Sequence, residues 1–218
     1  MKKSRKVALV FGESDNDRSA LVELVQAINP ETERFGFQKR RRPLVLLRRT
    51  ELPLTRRRAA EEISRLVKAE RVINDVAFII THRDCDAIEP EHTTASLDIE
   101  RELRSLGVEN VVAATPAFEM ETWWMLFPDE IKSICSCWKQ VDYKSSNVGK
   151  IVNAKERLIR DLRPSDKKLR SRCMDFVESD GVKVARKIRE TGAALRPSRA
   201  HSSSFEEFKE KILAIKIV

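Results

Sequence analysis

Short apolar runs alternate with longer amphipathic segments over the first 115 residues of the chain. The clearest run, VAFIIT at 76–81, is apolar at successive positions, which is typical of a strand buried on both faces of a parallel sheet. Similar runs predict further strands at 6–11, 43–47 and 108–115. The helical spacing of apolar residues predicts helices at 18–28, 55–72 and 93–106. This alternation indicates an α/β fold with a four-stranded, mostly parallel sheet flanked by helices and joined by right-handed crossovers.

The C-terminal part of the chain has a different pattern. A short helix is predicted over 118–127, where Trp123 and Trp124 are expected to be core residues. After Pro128 the pattern predicts helices alone, at 148–162, 166–178, 182–191 and 205–215, with a break at Gly181. We therefore predict an α/β core at 1–127 and a helical C-terminal subdomain at 128–218 that packs on it.

The composition is that of a water-soluble globular protein, with 41% hydrophobic and 35% charged residues in a chain of 218. No stretch approaches the roughly 18 continuous apolar residues that a membrane-spanning helix needs. We therefore expect a cytoplasmic protein that makes no use of a membrane.

The formal net charge of +8 is concentrated in one segment, residues 38–58. Nine basic residues against the single acid Glu51 give this segment a net charge of +8, so the rest of the chain is neutral overall. The basic residues are Lys39, Arg40, Arg41, Arg42, Arg48, Arg49, Arg56, Arg57 and Arg58. Clustered positive charge of this kind favours a nucleic acid as partner, because binding releases counterions from closely spaced phosphates. A solvated charge run without a partner is the alternative.

The four cysteines, Cys85, Cys135, Cys137 and Cys173, are too few and too scattered to predict a disulfide framework. Cys135 and Cys137 are one residue apart, but no second Cys or His pair follows at the spacing of a zinc site. The sequence therefore predicts no thiolate metal site.

Pairs of carboxylates follow three of the predicted strands. They are Glu13 with Asp17, Asp84 with Asp86, and Glu119 with Glu121. Because the carboxyl ends of parallel strands lie at one edge of a sheet, these side chains are expected to converge there, as ligands of Mg²⁺ or Mn²⁺. The alternative is that they are turn and cap residues, since Asp is common where a strand ends.

Four stretches of the sequence carry a resemblance to known protein families. VALVFGESDNDRSAL followed by FIITHRDCDA resembles the Toprim (topoisomerase-primase) pattern, in which a glutamate ends the first strand and Asp-x-Asp ends a later one. ETWWMLFPDE and the late SSSFEEFKEKI are similar to a bacterial family of uncharacterised Toprim-like proteins related to nucleases of the OLD (overcoming lysogenization defect) type. The resemblance implies a four-stranded parallel sheet between helices, a divalent metal at the acidic edge, and phosphodiester chemistry.

The resemblance also implies roles for individual residues. Glu13 would bind metal or act as general acid or base, Asp17 would support it, and Glu121 would be the third acidic motif. Asp84 and Asp86 would be the metal-binding pair, so that Glu13, Asp84 and Asp86 are the catalytic residues. One position departs from the pattern, because Ser14 stands where Toprim proteins usually have glycine, and Gly12 comes before the glutamate.

Basic side chains are expected to complete the site. Lys150, Lys155 or an arginine of the basic segment is available to stabilise the transition state, and the sequence does not select among them. Lys150 is predicted to contact nucleic acid together with Arg40, Arg41, Arg42, Arg56, Arg57 and Arg58. His82, beside the strand end, is expected to be structural.

The function expected from the resemblance is a metal-dependent nuclease acting on DNA or RNA in bacterial anti-phage defence, alone or with a partner protein from the same operon such as an ATPase. The alternative is a nucleic-acid- or phosphate-binding protein that keeps the fold without turnover. A third hypothesis is an interaction module that binds a protein through its C-terminal helices.

Overall fold

The protein's structure, a computed structural model, describes residues 6–40 and 53–216, with only the backbone of residues 53–56. The described chain contains one sheet, formed by β1 (Lys6–Phe11), β2 (Gly36–Arg40), β3 (Asp75–His82) and β4 (Val111–Ala114). Every neighbouring pair of these strands is parallel, in the order β2-β1-β3-β4. The predicted α/β class and parallel four-stranded sheet are confirmed.

The helices of the described residues follow the predicted alternation in the first half and then accumulate in the second. They are α1 (Asp15–Ile28), α2 (Pro53–Ile73), α3 (Glu91–Ser105), α4 (Glu121–Trp124), α5 (Pro128–Ile134), α6 (Ala154–Leu162), α7 (Lys167–Arg170), α8 (Glu178–Thr191) and α9 (Ser203–Leu213). Short 3-10 turns occupy Pro30–Arg34, Val148–Lys150 and Ala193–Leu195.

Apolar residues cover the sheet on both faces, and the side chains of β3 contribute to the core on each face. Phe78 and Ile80 belong to a core formed with α1 and the C-terminal helices, whereas Ile79 belongs to a second core formed with α2 and α3. Successive side chains of a strand point to opposite faces, so a central strand covered on both sides must be apolar at every position.

The strand order places a topological switch point between β1 and β3. From β1 the chain passes through α1 to β2, and from β3 it passes through α3 to β4 on the opposite side of the sheet. The two connections lead away from each other and cover opposite faces. In open α/β sheets the crevice left between such diverging connections is where ligands bind.

The C-terminal helices pack on the face that α1 covers. Helix α8 lies along α1, and α9 brings Phe205 and Phe208 against Trp123, with ring centroids 5.5 and 5.0 Å apart. Trp123 is fully buried and Trp124 nearly so, which confirms that both are core residues.

One predicted strand and one observed strand do not correspond. The strand predicted at 43–47 lies outside the described residues, while β2 is formed by the preceding GFQKR, for which the sequence predicted no strand. Among the described strands β2 pairs with β1 alone and lies at an edge of the sheet, so it tolerates Gln38, Lys39 and Arg40 and lacks a continuous apolar run.

Four predicted helices differ from the observed ones. The helix predicted at 118–127 is reduced to the four residues of α4. The helix predicted at 148–162 begins only at α6, because Asn153 is left-handed with a φ of 53°. The helix predicted at 166–178 is reduced to the four residues of α7. Helix α8 begins before Gly181 rather than after it, so Gly181 lies inside the helix. A glycine fits there because the helix packs closely on Trp124, and a Cβ at this position would be 3.0 Å from the Trp124 Nε1.

A disulfide joins Cys137 to Cys173, a pairing that was not predicted from the sequence. Among the helices that the structure describes, none combines the length and apolar character needed to cross a bilayer.

We expect Ser204→Ala to destabilise the protein by about 2 kcal/mol or more, measured as the free energy of unfolding in urea. The buried Ser204 hydroxyl accepts hydrogen bonds from the Trp123 indole N–H (3.0 Å) and the Ala117 backbone N–H (3.2 Å). The substitution leaves both donors buried without an acceptor.

The control is Ser171→Ala, at an exposed serine bonded to the Lys168 carbonyl, which should change stability by less than about 0.5 kcal/mol. Equal effects of the two substitutions would contradict this account of Ser204.

Candidate metal centre

An acidic pocket opens at the switch point between the carboxyl ends of β1 and β3. Its volume is about 160 Å³. Six carboxylate residues and one lysine are among those that line it: Glu13, Asp17, Asp84, Glu119, Glu121, Glu178 and Lys155. The connections after β1, β3 and β4 each supply part of this set, and α6 and α8 supply the rest.

The turn after β1 is shaped by a capping box. The Ser14 hydroxyl accepts the Asp17 backbone N–H (3.0 Å), while one carboxylate oxygen of Asp17 accepts both the Ser14 N–H (3.1 Å) and its hydroxyl (2.6 Å). These bonds satisfy backbone donors at the start of α1. Ser14 therefore stabilises the start of α1. Asp17 lines the pocket, but one of its carboxylate oxygens already accepts two hydrogen bonds from Ser14.

Gly12 allows the end of β1 to lie close to its neighbours. A Cβ at this position would be 3.2 Å from both the Arg18 Cγ and the His82 Cβ. The buried guanidinium of Arg18 donates to the Gly12 carbonyl at 2.5 Å. These contacts hold the backbone that precedes Glu13, which faces the pocket.

His82 is the last residue of β3, and its side chain is fully buried beneath the pocket. Its Nε2 lies 3.3 Å from Asp84 Oδ1 without forming a hydrogen bond, and its Nδ1 lies 3.9 Å from Asp17 Oδ2, beyond hydrogen-bond distance. Burial disfavours the imidazolium, but the carboxylates of Asp84, Asp17 and Glu13 outweigh it and raise the pKa of His82. His82 was expected to be structural, and in the structure it lies beside two acids of the pocket, Asp84 and Asp17.

Glu119 and Glu121 follow β4 and form the opposite wall. Burial, followed by the charges of Glu119 and Asp84, raises the pKa of Glu121 to about 8. Burial also raises the pKa of Glu119, although its carboxylate accepts the backbone N–H of Lys155 at 2.7 Å. In the absence of a cation, Glu121 is therefore protonated at neutral pH.

Lys155 is the basic residue that faces the acids. It lies in the first turn of α6, and its Nζ is 2.6 Å from the Glu178 Oε1. Burial opposes its charge, yet the contact with Glu178 and the charges of Glu121 and Glu119 raise the pKa of Lys155, which is therefore an ammonium group.

The donor set fits a hard divalent cation. Mg²⁺ and Mn²⁺ prefer carboxylate oxygens, and burial beside Glu119 and Asp84, which raises the pKa of Glu121, is a cost that a bound cation would offset. The carboxylates are farther apart than the ligands of a closed coordination shell. Within residues 6–40 and 53–216, no three His, Asp or Glu residues have ligand atoms that all lie within 4.8 Å of one another. Side-chain rotation would be required to close them around one ion.

The structure brings together Glu13, Asp17, Asp84 and Glu121 of the predicted metal ligands, but it does not bring Asp86 to them. Asp86 is exposed and is not one of the residues that line the pocket. Its φ of 50° turns the chain away after Asp84, and its N–H is bonded to the Phe118 carbonyl.

Two lining residues, Lys155 and Glu178, come from the C-terminal helices and were not predicted as metal ligands. Glu119 carried the same signal as Glu121, since both follow one predicted strand. For Lys155 the sequence offered only a choice among several basic residues, and for Glu178 it offered no signal.

The predicted nucleic-acid contacts are only partly described. Arg40 is paired with Glu70 at 2.5 Å, Arg57 is paired with Glu61 and Glu102, and Arg58 is exposed. Arg41 and Arg42 lie outside the described residues, as does the side chain of Arg56. Lys150 is exposed and is not among the residues that line the acidic pocket.

Comparisons with protein-family models, with curated proteins and with solved structures gave no match to this chain. The case for a function therefore depends on the geometry of the pocket.

We expect Glu121→Gln to stabilise the metal-free protein more at about pH 8 than at about pH 5. A carboxyl whose pKa is raised from 4.5 to about 8 on folding binds a proton more tightly in the folded state, so stability falls as pH rises between these values. Glutamine has no proton to lose and removes this dependence. The measurement is the melting temperature at both pH values with a chelator present.

The control for this prediction is Glu109→Gln, at an exposed acid in the loop before β4. Its effect on the melting temperature should be small at both pH values. A shift for Glu121→Gln that is the same at both pH values would contradict the buried, crowded environment of this carboxyl.

Proposed function

We propose that the protein is a metal-dependent nuclease of Toprim-like fold that hydrolyses phosphodiester bonds in DNA or RNA. The observation that carries this proposal is the pocket at the β1/β3 switch point, where six carboxylates surround a single lysine. A hard cation held by carboxylates next to an ammonium group is suited to a phosphate substrate, because a phosphodiester brings negative charge to the site.

Glu13, Asp84 and Glu121 are the residues that would hold Mg²⁺ or Mn²⁺, with Glu119 beside them. When bound, such a cation supplies an activated water and compensates charge on the attacking and leaving oxygens. The buried His82, whose Nε2 lies 3.3 Å from Asp84 Oδ1, would stabilise the Asp84 carboxylate by charge and is a positioning residue. Asp17 supports Glu13 through the capped start of α1.

Lys155 is the basic residue that we propose to contact the phosphate. It lines the pocket, whereas Lys150 is not among the lining residues. Glu178, which also lines the pocket, holds the Lys155 ammonium at 2.6 Å. An ammonium group placed there would stabilise negative charge that develops on the phosphate oxygens.

The wider context is proposed from the sequence. The basic segment 38–58 would track the nucleic-acid backbone, and its exposed Arg58 is available for such contacts. We further propose a cytoplasmic role in anti-phage defence, with a partner protein from the same operon such as an ATPase.

We expect Asp84→Asn and Glu121→Gln each to reduce Mn²⁺-dependent cleavage of a DNA or RNA substrate by at least about 100-fold, because each removes a ligand oxygen charge from the pocket. Glu109→Gln, at an exposed acid before the amino end of β4 and therefore at the opposite edge of the sheet from the pocket, is the matched control and should cleave like the unmodified protein. Circular dichroism checks that each variant is folded. Cleavage that persists equally in Asp84→Asn and Glu121→Gln would assign the activity elsewhere.

Asp84 and Asp86 can be separated by the same assay. Asp84 lines the pocket and Asp86 is exposed outside its lining, so Asp86→Asn should reduce cleavage by less than about tenfold. Equal losses in Asp84→Asn and Asp86→Asn would support the metal-binding pair that the sequence suggests. They would contradict the placement of Asp86 outside the pocket.

The open spacing of the carboxylates favours the second candidate, a nucleic-acid- or phosphate-binding protein without turnover. That function predicts salt-sensitive binding, weakened by Arg58→Ala, with no metal-dependent product from the unmodified protein.

A further inference from the structure

Three cysteines meet at the junction of two segments in the C-terminal half of the chain. Cys137 is bonded to Cys173, and the Cys135 sulfur lies 3.0 Å from that of Cys137. All three sulfurs lie within 4.8 Å of one another, a property shared by no other group of three His, Cys, Asp or Glu side chains among the described residues. Each is half-buried against the main core.

Contacts other than the disulfide hold these two segments together. The Trp138 indole N–H donates to the Met174 carbonyl at 2.7 Å, and the Trp138 ring packs against Phe176 with centroids 5.8 Å apart. The Trp138 backbone N–H closes a turn onto the Cys135 carbonyl at 3.2 Å. The Lys132 ammonium bonds to two carbonyls of the same loop, those of Ser136 and Trp138. Reduction of the disulfide would therefore leave three thiols facing one another.

We propose that Cys135, Cys137 and Cys173 form, when reduced, a thiolate site for a borderline-soft divalent cation of the zinc class. Zinc–sulfur bonds of about 2.3 Å in a tetrahedral site place the sulfurs about 3.8 Å apart, and the Cys135 and Cys137 sulfurs, 3.0 Å apart, would separate by about 0.8 Å to reach that spacing. Three thiolates leave one position for water or an external ligand. The sulfur donors distinguish this site from the carboxylate pocket, which suits Mg²⁺ or Mn²⁺.

The disulfide is the oxidised, metal-free form of the same site. When a low-molecular-weight disulfide accepts two electrons, its own S–S bond breaks to give two small thiolates, the thiolates of Cys137 and Cys173 join through a new S–S bond, and the cation is released. A dithiol reverses the exchange by taking the oxidised form itself and returning two thiols. In both forms the site joins the loop after α5 to the segment that enters α8, and Cys173 lies five residues before the pocket residue Glu178.

The test uses the whole chain, reduced without oxygen and supplied with excess Mg²⁺ to fill the carboxylate pocket. Titration with Co²⁺ should give the thiolate-to-cobalt charge-transfer absorption with one equivalent per chain, and Zn²⁺ should abolish it. Cys135→Ser, Cys137→Ser and Cys173→Ser should each weaken binding by at least about tenfold. The control is Cys85→Ser, which removes the fourth cysteine outside the cluster and should titrate like the unmodified chain.

A second measurement needs no variant and so does not depend on how a substituted chain folds. Alkylation of the reduced protein, mapped by mass spectrometry, should slow on adding Zn²⁺ at Cys135, Cys137 and Cys173 and not at Cys85. Absence of the charge-transfer absorption, or unslowed alkylation at any of the three cysteines, would overturn the proposal.

Discussion

Repulsion between carboxylates held at one edge of the sheet is the constraint on which the structure of the pocket depends. Glu121 is nearly buried among Glu119 and Asp84, and these neighbours together with burial raise its pKa to about 8. Like charges in a partly desolvated pocket are unfavourable unless a proton or a cation compensates them. A fold that keeps six acids in this position must therefore hold them by other contacts.

Those contacts are local to each acid. Asp17 is fixed by its capping box with Ser14, and Asp84 lies over the buried His82. Glu119 is fixed by the backbone N–H of Lys155. These three acids thus keep their places through a helix start or a strand end rather than through the other acids. The backbone that carries these acids is therefore set before any cation binds, and only rotation of their side chains is needed to close them around one ion.

The fold could be predicted where burial dictates the residue type. β3 is apolar at successive positions because both of its faces are covered, whereas the edge strand β2 carries polar residues and was missed. In the site, the rule that strand ends converge correctly brought Asp84 to the pocket with Glu13. It failed for Asp86 because the left-handed backbone there turns the chain away, and nothing local in the sequence shows such a turn.

Glu178 could not be predicted because its position depends on helix packing. Helix α8 lies along α1, and Gly181 lets it approach Trp124 so closely that a Cβ would be 3.0 Å from the indole nitrogen. The start of α1 carries Asp17 on one wall of the pocket, and the start of α8 carries Glu178 on another. A change in the α1–α8 contact would therefore move both walls at once. The C-terminal helices belong to the site itself, because without them the pocket would lose Glu178 and the lysine that this acid holds.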